Sequence, residues 1–95
     1  MTGTTRSSEG LDERRRRLLF RSWHRGTREM DLIMGRFADA TIGTLSDAEL
    51  DAFEGLTGVP EPELYAWITG ERPVAPEHDT TLFHRLRDFA RNPAK

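Results

Sequence analysis

Met30, Ile33, Met34, Phe37 and Ala38 recur at i, i+3, i+4, i+7 and i+8. That spacing puts one apolar stripe on an α-helix. On a strand, whose side chains alternate with period two, the same residues would scatter over both faces. Four more segments carry helical spacing, and no convincing strand pattern appears between them. A chain built this way can bury its stripes only by packing helix on helix.

The first segment runs from about Leu11 to Trp23, with Leu11, Leu18, Leu19 and Trp23 near one side. Arg14 to Arg17 and Arg21 cover the rest, and Gly26 is expected to stop it. The second holds the Met30–Ala38 stripe and ends at Thr41, Gly43 and Thr44. Gly35 lies inside it, where glycine costs about 1 kcal/mol against alanine. A close neighbouring helix would offset that cost. The third segment marks its own start. Ser46 and Glu49 have the spacing of a capping box, and Leu45 and Leu50 that of the accompanying hydrophobic staple. Leu50, Phe53 and Leu56 face inward, and Gly58 closes the helix. The fourth begins near Pro60 to Pro62, carries Leu64, Trp67 and Ile68 with Tyr65 at the side, and stops at Gly70. ERPVAPEHD should follow as an extended loop. The fifth runs from about Thr80 to Arg91, capped by Asp79 or Thr80, and buries Leu82, Phe83, Leu86, Phe89 and Ala90.

The 95 residues suffice for one small core. The expected fold is therefore all-α, a compact five-helix bundle and single domain over residues 11–91. Residues 1–10 are small and polar and are expected to be a disordered tail; residues 92–95 are expected to be loose. No apolar run reaches the ~20 residues that cross a bilayer, and the first ten lack a secretory core segment. Membrane insertion is not expected, and a cytoplasmic location is.

Several chemistries lack their residues. There is no cysteine, so there is no disulfide framework and no thiolate metal site. His24, His78 and His84 are scattered and are expected to lie at the surface rather than to bind zinc. No serine–histidine–acid set or Gly-rich phosphate loop stands at a recognisable spacing. Asp47, Glu49, Asp51 and Glu54 are expected to form a solvated helix face rather than a carboxylate pair. The chain is expected not to be an enzyme.

The net charge of −2 conceals an imbalance. Residues 1–28 carry eight arginines against three acids, and residues 29–95 carry six bases against thirteen acids. A basic face used for contact is the natural implication. Nucleic acid is the obvious rival partner, because Arg14–Arg17 is a run of four. Against it, Phe37 to Glu71 holds no lysine or arginine and eight acids, where a helix-turn-helix would most naturally sit. No nucleic-acid partner is expected.

SWHRGTREMD, residues 22–31, joins the first two helices. As a turn, Gly26 breaks the helix and tolerates φ > 0. With Gly26 as N-cap, Glu29 is the third helical residue and can reach back to the cap. As a docking site, a glycine corner lets another backbone approach, and arginines beside it can grip carboxylates in pairs. Local chemistry leaves both open.

RRLLFRSWHRGTREMDLIMGRFAD resembles the signature of the SdhE family, the small FAD assembly (flavinylation) factors of succinate dehydrogenase. The likeness continues through LSDAELDAFEGLTGVPEPELYAWITGERPV to LFHRLRDFAR, about residues 14–91. RGxxE alone is weak; followed by MDLIMGRFAD, LSDAEL and LYAWITG it is specific. The resemblance implies a five-helix fold. It implies binding to the flavoprotein subunit of succinate dehydrogenase, and in some members also service to fumarate reductase. It implies promotion of covalent FAD attachment to a histidine of that subunit. The sequence itself carries no FAD motif, and no stably bound cofactor is expected. By the same resemblance the RGxxE surface, here Arg25, Gly26 and Glu29, is expected to face the flavoprotein, with Arg28, Arg21 and Arg17 as the cations beside it. Trp67 matches the tryptophan of the family's LYxW segment. A monomer fits a factor that must leave its client. Gly26→Arg is expected to block docking while leaving helicity intact. The alternative is a basic-faced nucleic-acid-binding module or an antitoxin-like regulator.

Overall fold

Asp12 opens the first helix by accepting the backbone N–H of Arg15 at 2.9 Å, and Glu13–Ser22 follow as α1. The computed structural model describes residues 10–91, so the two expected tails lie outside the described residues apart from Gly10. After α1 come α2 (Arg28–Thr41), α3 (Asp47–Thr57), α4 (Glu61–Thr69), a single 3₁₀ turn (Pro76–His78) and α5 (Thr81–Arg91). The five-helix, all-α expectation holds, with no strand among the described residues.

The helix ends are set by local chemistry. Ser46 and Glu49 close the capping box in both directions, at 3.2 and 2.8 Å. Thr80 caps α5 by accepting the N–H of Phe83 at 3.1 Å. Gly70 ends α4 at φ 86°, a left-handed conformation that a Cβ disfavours. Two expectations shift. The loop after Gly70 is not wholly extended, since Pro76–His78 make a 3₁₀ turn. α1 stops at Ser22, four residues before Gly26, and Trp23 is its C-cap.

Trp23, the C-cap of α1, lays its indole on α2. A Cβ at Gly35 would lie 2.2 Å from the ring, and Trp23 Nε1 donates to Asp39 Oδ1 at 3.1 Å. Gly35 is therefore the notch that lets the end of α1 lie flat on α2. The close neighbour that its helical cost demands is the tryptophan itself.

One core joins all five helices. Leu18, Met34, Phe37, Phe53, Leu64, Phe83 and Leu86 are each at most 2% exposed. Burying a side chain of this size is worth roughly 1.5–3 kcal/mol. Phe37 on α2 meets Phe53 of α3 and Phe89 of α5 at 5.5 and 5.6 Å between ring centroids. Trp67 is also core, 6% exposed and edge-on to Phe83. Among the described residues no helix is long and apolar enough to cross a membrane. The 23–27 connection between α1 and α2 starts in the core at Trp23 and reaches the surface at Gly26 and Thr27.

Candidate docking surface

The corner between α1 and α2 is held from three sides. Asp31, in the first turn of α2, accepts the backbone N–H groups of Arg25 at 2.6 Å and Gly26 at 3.3 Å. Thr27 is the N-cap, and its hydroxyl accepts the N–H of Met30. Arg25 sends its guanidinium to the carbonyl oxygens of Thr57 (2.6 Å) and Val59 (3.1 Å), pinning the corner to the α3–α4 connection.

This arrangement corrects the expected cap. Gly26 is not the N-cap and Glu29 does not reach back to it; Glu29 stands one place earlier in the helix than a capping box requires. Its carboxylate instead accepts the Tyr65 hydroxyl at 3.2 Å. The Glu29 charge and that bond push the Tyr65 phenol above its ordinary value.

Gly26 has φ +115°, which side-chain-bearing residues rarely adopt. The space in front of it is open, for an added Cβ would meet only Glu61 Oε1, at 4.0 Å. Gly26, Thr27, Arg28 and Glu29 are exposed, and Arg25 is half-buried. Shallow hollows flank the glycine. One is formed by Trp23, His24, Arg28, Asp31 and Leu32. The other is formed by Glu29, Met30, Glu61, Pro62 and Tyr65, and Thr27 borders both. Two buried polar atoms by the corner, Arg25 Nε and Glu61 Oε1, have no hydrogen-bond partner.

Arg25, Gly26, Arg28 and Glu29 thus meet at one corner. Arg17 and Arg21 stand back along α1: Arg17 is exposed and pairs with Glu13 at 3.1 Å, and Arg21 is exposed on the side where its charge acts on Glu54.

The arginine run is largely turned to structural use. Arg14 binds Glu54 through two nitrogens at 2.8 Å and also contacts Asp51. Arg15 donates to the carbonyls of Ile42 and Leu45 at 2.9 and 2.6 Å, and Arg16 to that of Leu11. The acidic face of α3 is consequently not simply solvated. Asp51 and Glu54 hold α1, while Glu49 pairs with Arg85 of α5 at 2.7 Å. Among the described residues no group of three or more histidine or acidic side chains is placed to hold a metal.

Sequence reasoning missed Asp31, Tyr65 and Glu61 as corner residues. Asp31 had no signal, because its partners are backbone N–H groups five and six residues earlier. Tyr65 stood beside Trp67 in the LYAW segment, but its reach to Glu29 spans 36 positions.

A family model described as flavinator of succinate dehydrogenase matches residues 16–90. The chain belongs to that family. The resemblance carried by RGTRE and the helices after it therefore holds over nearly the whole described fold. The chain is 38% identical over 85 residues to the FAD assembly factor SdhE of Acetobacter pasteurianus, covering 90% of this chain and 78% of that protein. It is 35% identical over 96 residues to the mitochondrial succinate dehydrogenase assembly factor 2 of Mycosarcoma maydis, covering 95% of this chain and 40% of the fungal one. The same factor of Debaryomyces hansenii is 33% identical over 94 residues, 95% of this chain and 66% of that one. The chain thus spans most of the bacterial relative and a smaller share of these two fungal assembly factors.

Proposed function

We propose that this chain is an assembly factor that docks on the flavoprotein subunit of succinate dehydrogenase and promotes covalent attachment of FAD to a histidine there. The observation that carries the reading is the Gly26 corner: exposed, free of a side chain, and fixed from within by Asp31 and Arg25. A corner whose shape is set before binding loses little further freedom on docking. Family membership supplies the client.

The flavin chemistry belongs to the flavoprotein and its cofactor, and this chain supplies selective binding. A factor that binds one conformer of its client more tightly than another shifts the client toward that conformer. Moving a population from 1:99 to 99:1 takes a preference of about 10⁴-fold. Docking through Gly26, Arg28 and Glu29, with Arg25 setting the corner and Arg17 and Arg21 adding positive charge, would bias the immature subunit toward the form whose histidine reaches the flavin. The factor works as a cytoplasmic monomer, and the fumarate reductase flavoprotein is a second client.

Covalent flavin on the subunit, read by in-gel fluorescence in cells lacking the factor, tests this. The wild-type chain should restore the signal, and Arg28→Glu should not. Gly26→Arg is a poorer probe, because φ +115° strains any side chain there and confounds docking with folding. Full restoration by a double variant, Thr27→Arg with Arg28→Glu, would remove the corner from the docking surface.

A further inference from the structure

Phe20 is 62% exposed, the one large hydrophobic side chain in that state among the described residues. A lone exposed apolar residue is ordinary and carries nothing by itself. Phe20 is not alone. Its ring stacks on the His24 imidazole at 3.9 Å between centroids and 15° between planes. His24 Nδ1 lies 2.6 Å from the Phe20 carbonyl oxygen. An oxygen there only accepts, so Nδ1 carries the proton and donates, which fixes the imidazole over the ring. The pair is a small aromatic plate, shaped in advance, where α1 ends.

Its surroundings are cationic. Helical spacing puts Arg16 and Arg17 one turn before Phe20 and Arg21 beside it; all three are exposed, with one Arg16 nitrogen donating to the Leu11 carbonyl. The opposing charges at the edges of the plate are Glu13, which pairs with Arg17, and Glu54, on which the Arg21 charge acts. Aromatic and arginine side chains are the two types most concentrated where protein interfaces gain their energy. The plate is also continuous with the corner, since His24 lines the same hollow as Gly26, Thr27 and Arg28.

We propose that the outer ridge of α1 is a second contact element, in which Phe20, backed by His24 and rimmed by Arg16, Arg17 and Arg21, enters an apolar pocket set in an acidic protein surface. This rests on the docking role proposed above, and the protein is the same client. A protein partner is favoured over a nucleic-acid strand because the fold turns Arg14 and Arg15 away, to α3 and to backbone carbonyls. What faces out is a short cationic rim around one apolar point, which matches an acidic pocket better than a phosphate track.

The test compares wild type, Phe20→Ala and Arg28→Glu for affinity to the purified, unflavinylated flavoprotein, with thermal unfolding as a folding control. Phe20→Ala should weaken binding by about 30-fold, the size of an interface hot spot, with an unchanged unfolding midpoint. Wild-type affinity in Phe20→Ala, with Arg28→Glu impaired, overturns the anchor and leaves the docking corner standing. No binding by the wild type overturns both. Phe20-dependent binding of a labelled single-stranded oligonucleotide, or a Phe20-dependent dimer in sedimentation, overturns the anchor in favour of base stacking or of a second copy.

Discussion

Arg25 places two guanidinium nitrogens on the carbonyls of Thr57 and Val59, and its backbone N–H on Asp31. On the proposed docking, a side chain held this way would serve a partner by setting the position of Gly26 rather than by gripping carboxylates. Arg28, next to the N-cap and exposed, is the corner cation free to meet an incoming acid. Lysine separates the two roles, because it keeps the charge but offers one point donor where arginine offers a fork. Arg25→Lys should lose one of its two carbonyl bonds, worth about 1 kcal/mol. In a domain of this size that lowers the thermal midpoint by roughly 4–8 °C. Flavinylation should fall with it, while Arg28→Lys leaves both nearly unchanged. Circular dichroism melts beside the in-gel flavin signal measure this. A full midpoint in Arg25→Lys would mean that the clasp does not fix the corner.

Elements are joined by charge as well as by the core. Arg14 bridges α1 to α3 through Glu54 and Asp51, and Arg85 bridges α5 to α3 through Glu49. The Arg14 hydrogen bond holds the Glu54 carboxyl below its ordinary 4.5. The backbone N–H groups of Ser46 and Arg15 do the same for Glu49 and Asp12. As pH falls, the unfolded chain takes up these protons before the folded one does. The stabilisation is therefore complete above about 4.5 and is lost as pH drops through the lower folded values. Urea midpoints should stay level from neutral pH down to roughly 5 and decline below it. Glu54→Gln should begin lower at neutral pH and decline less steeply; a decline parallel to wild type would show that the bridge adds nothing. The same bridges mark what was legible in the sequence. The Met30–Ala38 stripe, the Ser46 cap and the Gly70 stop are local and were readable. The partners of Arg14 lie 37 and 40 positions away, and nothing in an RRRR run announces them. The cap at Thr27 instead of Gly26 was hidden for a like reason, since distant carbonyls help set the backbone there.

At the scale of the whole molecule, the basic first 28 residues and the acidic remainder partly neutralise each other when the chain folds. Arg14 is spent on α3 and Arg15 on backbone carbonyls, while Arg17, Arg21, Arg28 and Arg16, which also reaches the Leu11 carbonyl, stay exposed around the α1–α2 corner. The site was legible as a glycine corner with arginines near it. Which arginines remain for a partner became visible only with the fold. Exposed charges act over about 10 Å at 0.1 M salt and 3 Å at 1 M. Rim charges of this kind govern how fast a complex forms more than how long it lasts. Raising salt from about 0.1 to 1 M should therefore slow association with the flavoprotein and change dissociation little. Arg28→Glu should imitate high salt, with slower association and weaker dependence on ionic strength. Phe20→Ala should do the reverse, speeding dissociation at both salts, because apolar burial is not screened. Stopped-flow or surface-capture kinetics at the two salts separate these effects. Association rates indifferent to salt would mean that the shape of the corner alone selects the client, with the cations serving only the fold.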